Sequence, residues 1–185
     1  MRMKRYLSAA VVGALLLVSG AFAAEAPTSG FRAEFLRQLD DVGKKVVDLA
    51  KAMPQEKYTW RPSEGVRSVS EVYLHLAGGN YIILRSVGMQ PPEGIDLKTL
   101  EKSTTDKAKV VEIVKQSFDK VREVAMNTPD ADLDKPVKFF GRETTVRNAF
   151  FVAGLHQHEH LGQSIAYARV NGVVPPWSAG RRSGE

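Results

Sequence analysis

His156-Gln157-His158-Glu159-His160, followed directly by Leu161-Gly162-Gln163, stands inside a stretch from Thr144 or Thr145 to Val170 that reads as one long helix. The chain has four histidines, and three of them fall within these five residues. Each residue of an α-helix turns by about 100°, so His156 and His160 sit about 40° apart on one face. His158 lies about 160° from each of them, on the other side. Two imidazoles at i and i+4 can hold one transition metal, and a third from a facing helix would complete an open three-histidine site. Gln163 falls about 20° from His156, one turn further on, and Glu159 about 60° away at the edge of the face. Gln163 is therefore a candidate to orient an imidazole or touch a substrate. Glu159 is a candidate base or fourth ligand. No Glu directly follows His156, so the pattern is not the HExxH zinc-protease motif, whose Glu is the general base.

The remaining histidine, His75, lies in Tyr73-Leu74-His75-Leu76-Ala77-Gly78-Gly79. This is the middle of a second helical segment, which makes His75 the candidate third ligand. Two consecutive glycines in a helix cost roughly 1 kcal/mol each relative to Ala. They point to close packing against another helix or to room for a ligand. Glu71, one turn before His75, is a candidate acceptor for its ring.

Two further helical segments complete the pattern. Phe31, Phe35, Leu39, Val42, Val46 and Leu49 repeat at helical spacing over about residues 31–53, and Pro54 ends the run. Trp60-Arg61-Pro62 and Gly65 form a turn, with Trp60 read as a plug of the core. Ser68-x-x-Glu71 is a capping box that opens the His75 helix, which runs to about Val87. A third segment runs from Thr105-Asp106 to about Asn127, with Val110, Val111, Val114, Phe118, Val121 and Ala125 as its apolar positions. Residues 130–143 read as a long connector, with 137–140 a short extended piece inside it. Asn171-Gly172 and Pro175-Pro176 stop the last helix, and residues 177–185 read as a mobile tail. Four helices without a convincing strand pattern make an all-α protein, an antiparallel four-helix bundle.

The N-terminus has a separate purpose. Arg2, Lys4 and Arg5 precede an apolar stretch from Leu7 to Val18, and Ala21-Phe22-Ala23 is an A-x-A cleavage site. Residues 1–23 read as a secretory signal peptide, too short for a comfortable membrane span. Residues 24–185 are then a single domain with its core at about 31–177. Cleavage lowers the formal charge from +5 to +2, which argues against a nucleic-acid partner. The chain has no Cys. That excludes a lipid-anchored lipoprotein, a thiol nucleophile and an iron–sulfur cluster, and leaves His, carboxylate, amide or water to hold any metal.

These pieces occur together in a known order. Trp60-Arg61-Pro62, Ser68-Val69-x-Glu71 and His75 are followed by His156-x-x-x-His160-Leu161-Gly162-Gln163, Tyr167-Ala168-Arg169-x-Asn171-Gly172 and Pro175-Pro176. In this set the chain resembles the DinB/YfiT-like superfamily of metal-dependent four-helix-bundle proteins, over about residues 31–177. The resemblance implies a metal triad of His75, His156 and His160, with His158 outside it. It implies a divalent ion that is zinc, nickel, iron or manganese, and a homodimer. It also implies metal-dependent hydrolysis or thiol/group transfer. Leu161 departs from the family, where a basic residue is frequent before Gly-Gln. The expectation is an exported metal-binding protein, periplasmic or extracellular, without a stable membrane anchor, acting on a small molecule. The alternative is a helical bundle that binds a metal or small ligand without turnover.

Overall fold

Helices form where the apolar spacing places them. The structure, a computed structural model, describes residues 26–180, so the signal-peptide expectation for residues 1–23 lies outside the described residues. Helix α1 (Gly30–Ala52) buries Phe35, Leu39, Val42, Val46 and Leu49. Helix α2 (Val69–Ser86) begins on the expected capping box. There the Glu71 amide donates to Ser68 Oγ (3.4 Å) and the Ser68 amide donates to Glu71 Oε2 (2.7 Å). Helix α3 (Lys107–Asn127) is capped by Asp106, which accepts from the Lys109 amide at 2.9 Å. Helix α4 (Val146–Val170) is capped by Thr145, which accepts from the Asn148 amide at 3.2 Å. Its chain leaves the helix through Gly172 at φ 75°, in the left-handed region that glycine favours.

Packing gives these helices a particular order. Helices α1 and α2 each pack against both α3 and α4, so the order around the bundle is α1–α3–α2–α4. The first two helices stand at opposite corners. The segment between them is tied down as it crosses the bundle end. Tyr58 is buried with its hydroxyl donating to the Ala50 carbonyl (2.7 Å), and its own carbonyl accepts from the Ser70 amide (2.9 Å). Trp60 is half-buried and meets the Tyr167 ring edge-on at 5.3 Å, as a core plug should. Complete burial of a Leu, Val or Phe side chain contributes about 1.5–3 kcal/mol. A polar chain also runs through this core. Gln157 Nε2 donates to Asn80 Oδ1 (2.9 Å), and Asn80 Nδ2 donates to Ser117 Oγ (3.1 Å), linking α4, α2 and α3.

Two expectations are corrected. The connector at 130–143 holds more than the one short extended piece expected at 137–140: β1 (Pro136–Phe139) pairs antiparallel with β2 (Arg142–Thr145). The turn between them holds Phe140 at φ 47° and Gly141 at φ 76°. Two consecutive positive φ values make the tight hairpin turn whose twist matches its strands. The usual signal is Asn-Gly, and Phe-Gly hides it. The tail is also more ordered than expected at its start. Pro176–Ser178 forms a short 3₁₀ turn that packs on α1, with Trp177 partly buried against the core. The paired prolines, with φ restricted, direct Trp177 back onto the bundle. Among the described residues no helix is long and apolar enough to cross a membrane.

Candidate metal centre

His75 comes from α2, and His156 and His160 from α4, two helices in direct contact. Gly79 permits that contact. A Cβ built there would collide with Cε1 of His156 and stand 2.8 Å from its Nδ1. A Cβ built on Gly78 would instead meet Leu100 Cδ2 at 3.7 Å, an ordinary van der Waals contact. Of the glycine pair read in the sequence, Gly79 is therefore the one that makes room for an imidazole.

The three rings converge. Their centroids lie 5.3 Å (His75–His156), 4.8 Å (His75–His160) and 4.5 Å (His156–His160) apart. One nitrogen from each lies within 4.8 Å of the others. The Nε2 atoms of His75 and His156 are 3.4 Å apart. Two nitrogens bound to one tetrahedral ion at about 2.0–2.1 Å would stand about 3.4 Å from each other. The donor set therefore fits a small divalent ion. It is closed to soft-ligand chemistry because it contains no sulfur.

The outer ring nitrogens are held in place. His75 Nδ1 lies 3.1 Å from Glu101 Oε2, and His160 Nδ1 lies 2.9 Å from Gln163 Oε1. Gln163 Nε2 in turn donates to the Tyr167 hydroxyl (3.2 Å), which donates to the Arg67 carbonyl (3.1 Å). An acceptor on Nδ1 places the proton there and frees the Nε2 lone pair for a metal. His156 lacks such a partner among the described residues: its Nδ1 is buried against Gly79 without a hydrogen bond.

Electrostatics favours neutral rings. Burial pulls His156 down to about 4, with His160, His75 and Arg67 adding positive charge nearby. Burial also holds His75 below its ordinary value, and Arg67 and His160 push the same way against Glu101. Neutral imidazoles are the form that binds a cation.

Other residues read from the sequence fall elsewhere. His158 is exposed, on the far side of α4. Glu159 is also exposed and takes part in no hydrogen bond or ion pair among the described residues. Gln163 stands beside His160, as described. The reading of Glu71 as the acceptor for His75 is corrected. Its carboxylate is held by the Ser68 amide and by Arg61 Nη2 at 3.2 Å, because its capping role fixes it at the helix start. Glu101, in the 3₁₀ turn Leu100–Lys102, takes that place. Nothing periodic marks it in the sequence. Glu101 also accepts from Arg67 Nε at 2.8 Å through its other oxygen.

A cavity of about 440 Å³ opens beside the histidines. His75, His156, Arg67 and Glu101 are the polar side chains on its wall, and the rest is glycine or apolar, including Phe139 and Phe140 of the hairpin. Sites for small molecules commonly hold about 300–1,000 Å³.

The family profile described as the DinB superfamily matches residues 38–164. A DinB-like protein from Bacillus cereus is similar in fold, with a TM-score of 0.66 at 19% identity over 77% of this chain and 93% of that one. YfiT from Bacillus subtilis, described as "a probable metal-dependent hydrolase with an unusual four-helix bundle topology", gives a TM-score of 0.63 at 16% identity over 84% of this chain and 97% of that one. A DinB-like protein from Bacillus subtilis gives 0.61 at 19% identity, over 76% and 93%. No curated protein matches the chain.

Proposed function

The chain belongs to the DinB superfamily, and from that premise we propose that it is an exported metal-dependent hydrolase acting on a small molecule seated beside its three histidines. The observation that carries the reading is the convergence of three imidazole nitrogens, one from each of His75, His156 and His160, within 4.8 Å of one another. A divalent ion held there (zinc, nickel, iron or manganese) would lower the pKa of a bound water and polarise a substrate carbonyl. His75, His156 and His160 supply three ligands and leave at least one position open. Glu101 and Gln163 keep two of the rings aimed by holding their Nδ1 atoms. The apolar wall of the cavity excludes water from the body of a bound molecule.

Hydrolysis is preferred to thiol transfer on two grounds. YfiT, a protein of similar fold, is described as a probable metal-dependent hydrolase. A signal peptide at residues 1–23 would also carry the protein away from the cytoplasmic thiol pool.

Metal-loaded protein, challenged with a panel of small esters and amides, should hydrolyse some of them. Chelation should stop the reaction, and a folded His156→Ala variant should be inactive. Turnover that survives complete chelation contradicts the reading. A bound metal without turnover, and a cobalt spectrum unmoved by azide, would favour a closed binding site instead. Export has its own test: the protein recovered from the host envelope should begin at Ala24.

A further inference from the structure

Arg67 stands on the wall of the cavity, one residue before the cap of α2. Its Nε is fixed to Glu101 Oε1 at 2.8 Å, while the other oxygen of that carboxylate holds His75 at 3.1 Å. One carboxylate thus sets the guanidinium and a metal-ligand candidate in a fixed relation. The two terminal nitrogens of Arg67 make no hydrogen bond among the described residues, and the side chain is 40% exposed. A guanidinium with a free edge is a ready partner for an oxyanion. The rest of the wall is apolar or glycine apart from Glu101 and the two histidines.

We propose that Arg67 is the anchor for a carboxylate on the substrate, so that the site takes small organic acids with an apolar body. The carboxylate meets the free edge of Arg67, and the apolar part lies against Leu97, Ile82, Phe139 and Val152. Glu101 selects among oxyanions. Its negative charge beside Arg67 repels a dianionic phosphate more than a monoanionic carboxylate. This assignment rests on the hydrolase reading only for which bond is broken. The anchoring itself requires no metal.

The test is calorimetric titration with 3-phenylpropanoate, 3-phenylpropanamide, acetate and phenyl phosphate, on the protein as purified and again after chelation. The carboxylate should bind about tenfold or more tighter than the amide in both states, since hydrogen bonds to charged groups are the stronger kind. Acetate, lacking the apolar body, should bind more weakly than 3-phenylpropanoate. Arg67→Gln should remove the preference for the carboxylate over the amide. Arg67→Lys, which keeps the charge, should retain part of it. Equal binding of acid and amide, or binding of neither, overturns the proposal. So does phenyl phosphate binding tighter than the carboxylate. A preference that survives in Arg67→Gln and vanishes on chelation makes the metal the anion site; it overturns the role of Arg67 while leaving the metal centre standing.

Discussion

At the residue scale, Gly79 carries the tightest constraint on the site, because any side chain there meets the His156 ring. Gly79→Ala gains up to about 1 kcal/mol of helix propensity and loses about 1–3 kcal/mol to overpacking. It is expected to weaken metal binding and to leave the fold no more stable, as metal titration and urea denaturation would show. A more stable variant with undiminished metal affinity would contradict this placement of His156. Glu101→Gln keeps the shape and removes the charge that faces His75, and should lower metal affinity by about 10–100-fold. The depressed histidines give a pH dependence of definite sign. The unfolded chain takes up protons near 6.5, whereas folded His156 stays neutral down to about 4, and His75 is shifted the same way. Protons therefore favour the unfolded state between these limits. The Tm of metal-free protein should be level above about pH 7 and fall from about pH 6.5 towards about pH 4. His156 and His160 were legible as a pair because helical geometry fixes what i and i+4 share, whereas His75, on another helix, was a candidate third ligand that only the family resemblance joined to them. Glu101 was not, because it comes from a turn with no periodicity. The glycine pair announced a close approach without naming His156 as its occupant.

Element by element, the helices were legible to within a residue or two, since caps and stops are local chemistry. Ser68 with Glu71, Asp106 and the Asn171-Gly172 exit each act on backbone groups close by in the chain. Thr145 begins the helix that carries two of the histidines. Thr145→Ala should cost about 0.5–2 kcal/mol, measured by chemical denaturation, and unchanged stability would show that the cap is idle. The hairpin was missed because its turn uses Phe140, 78% exposed and at positive φ, where Asn is usual. The two Phe side chains of this turn region form part of the cavity wall, which gives a bulky residue at a strained position a reason to be there. The mixed reading of Pro176–Ser178 has a similar origin: prolines mark the end of a helix plainly but do not say where the chain turns next.

Over the whole molecule, the bundle was legible as four apolar stripes, whereas the order α1–α3–α2–α4 was not. That order depends on where long connections cross, and no short-range pattern encodes it. It matters for the site because it sets α2 beside α4, and with them His75 beside His156 and His160. An ion bound there clamps two helices that are remote in sequence. Binding to the folded state alone stabilises by about 2.7 kcal/mol at a ligand concentration 100 times Kd, so Tm should rise on metal addition and return on chelation. The most direct measurement is the metal content of the untagged protein beside a His156→Ala variant, with helicity followed by circular dichroism. Close to one divalent ion per chain is expected in the former and none in an equally helical variant. No ion in the parent protein even after reconstitution, or the same content in both, would contradict it.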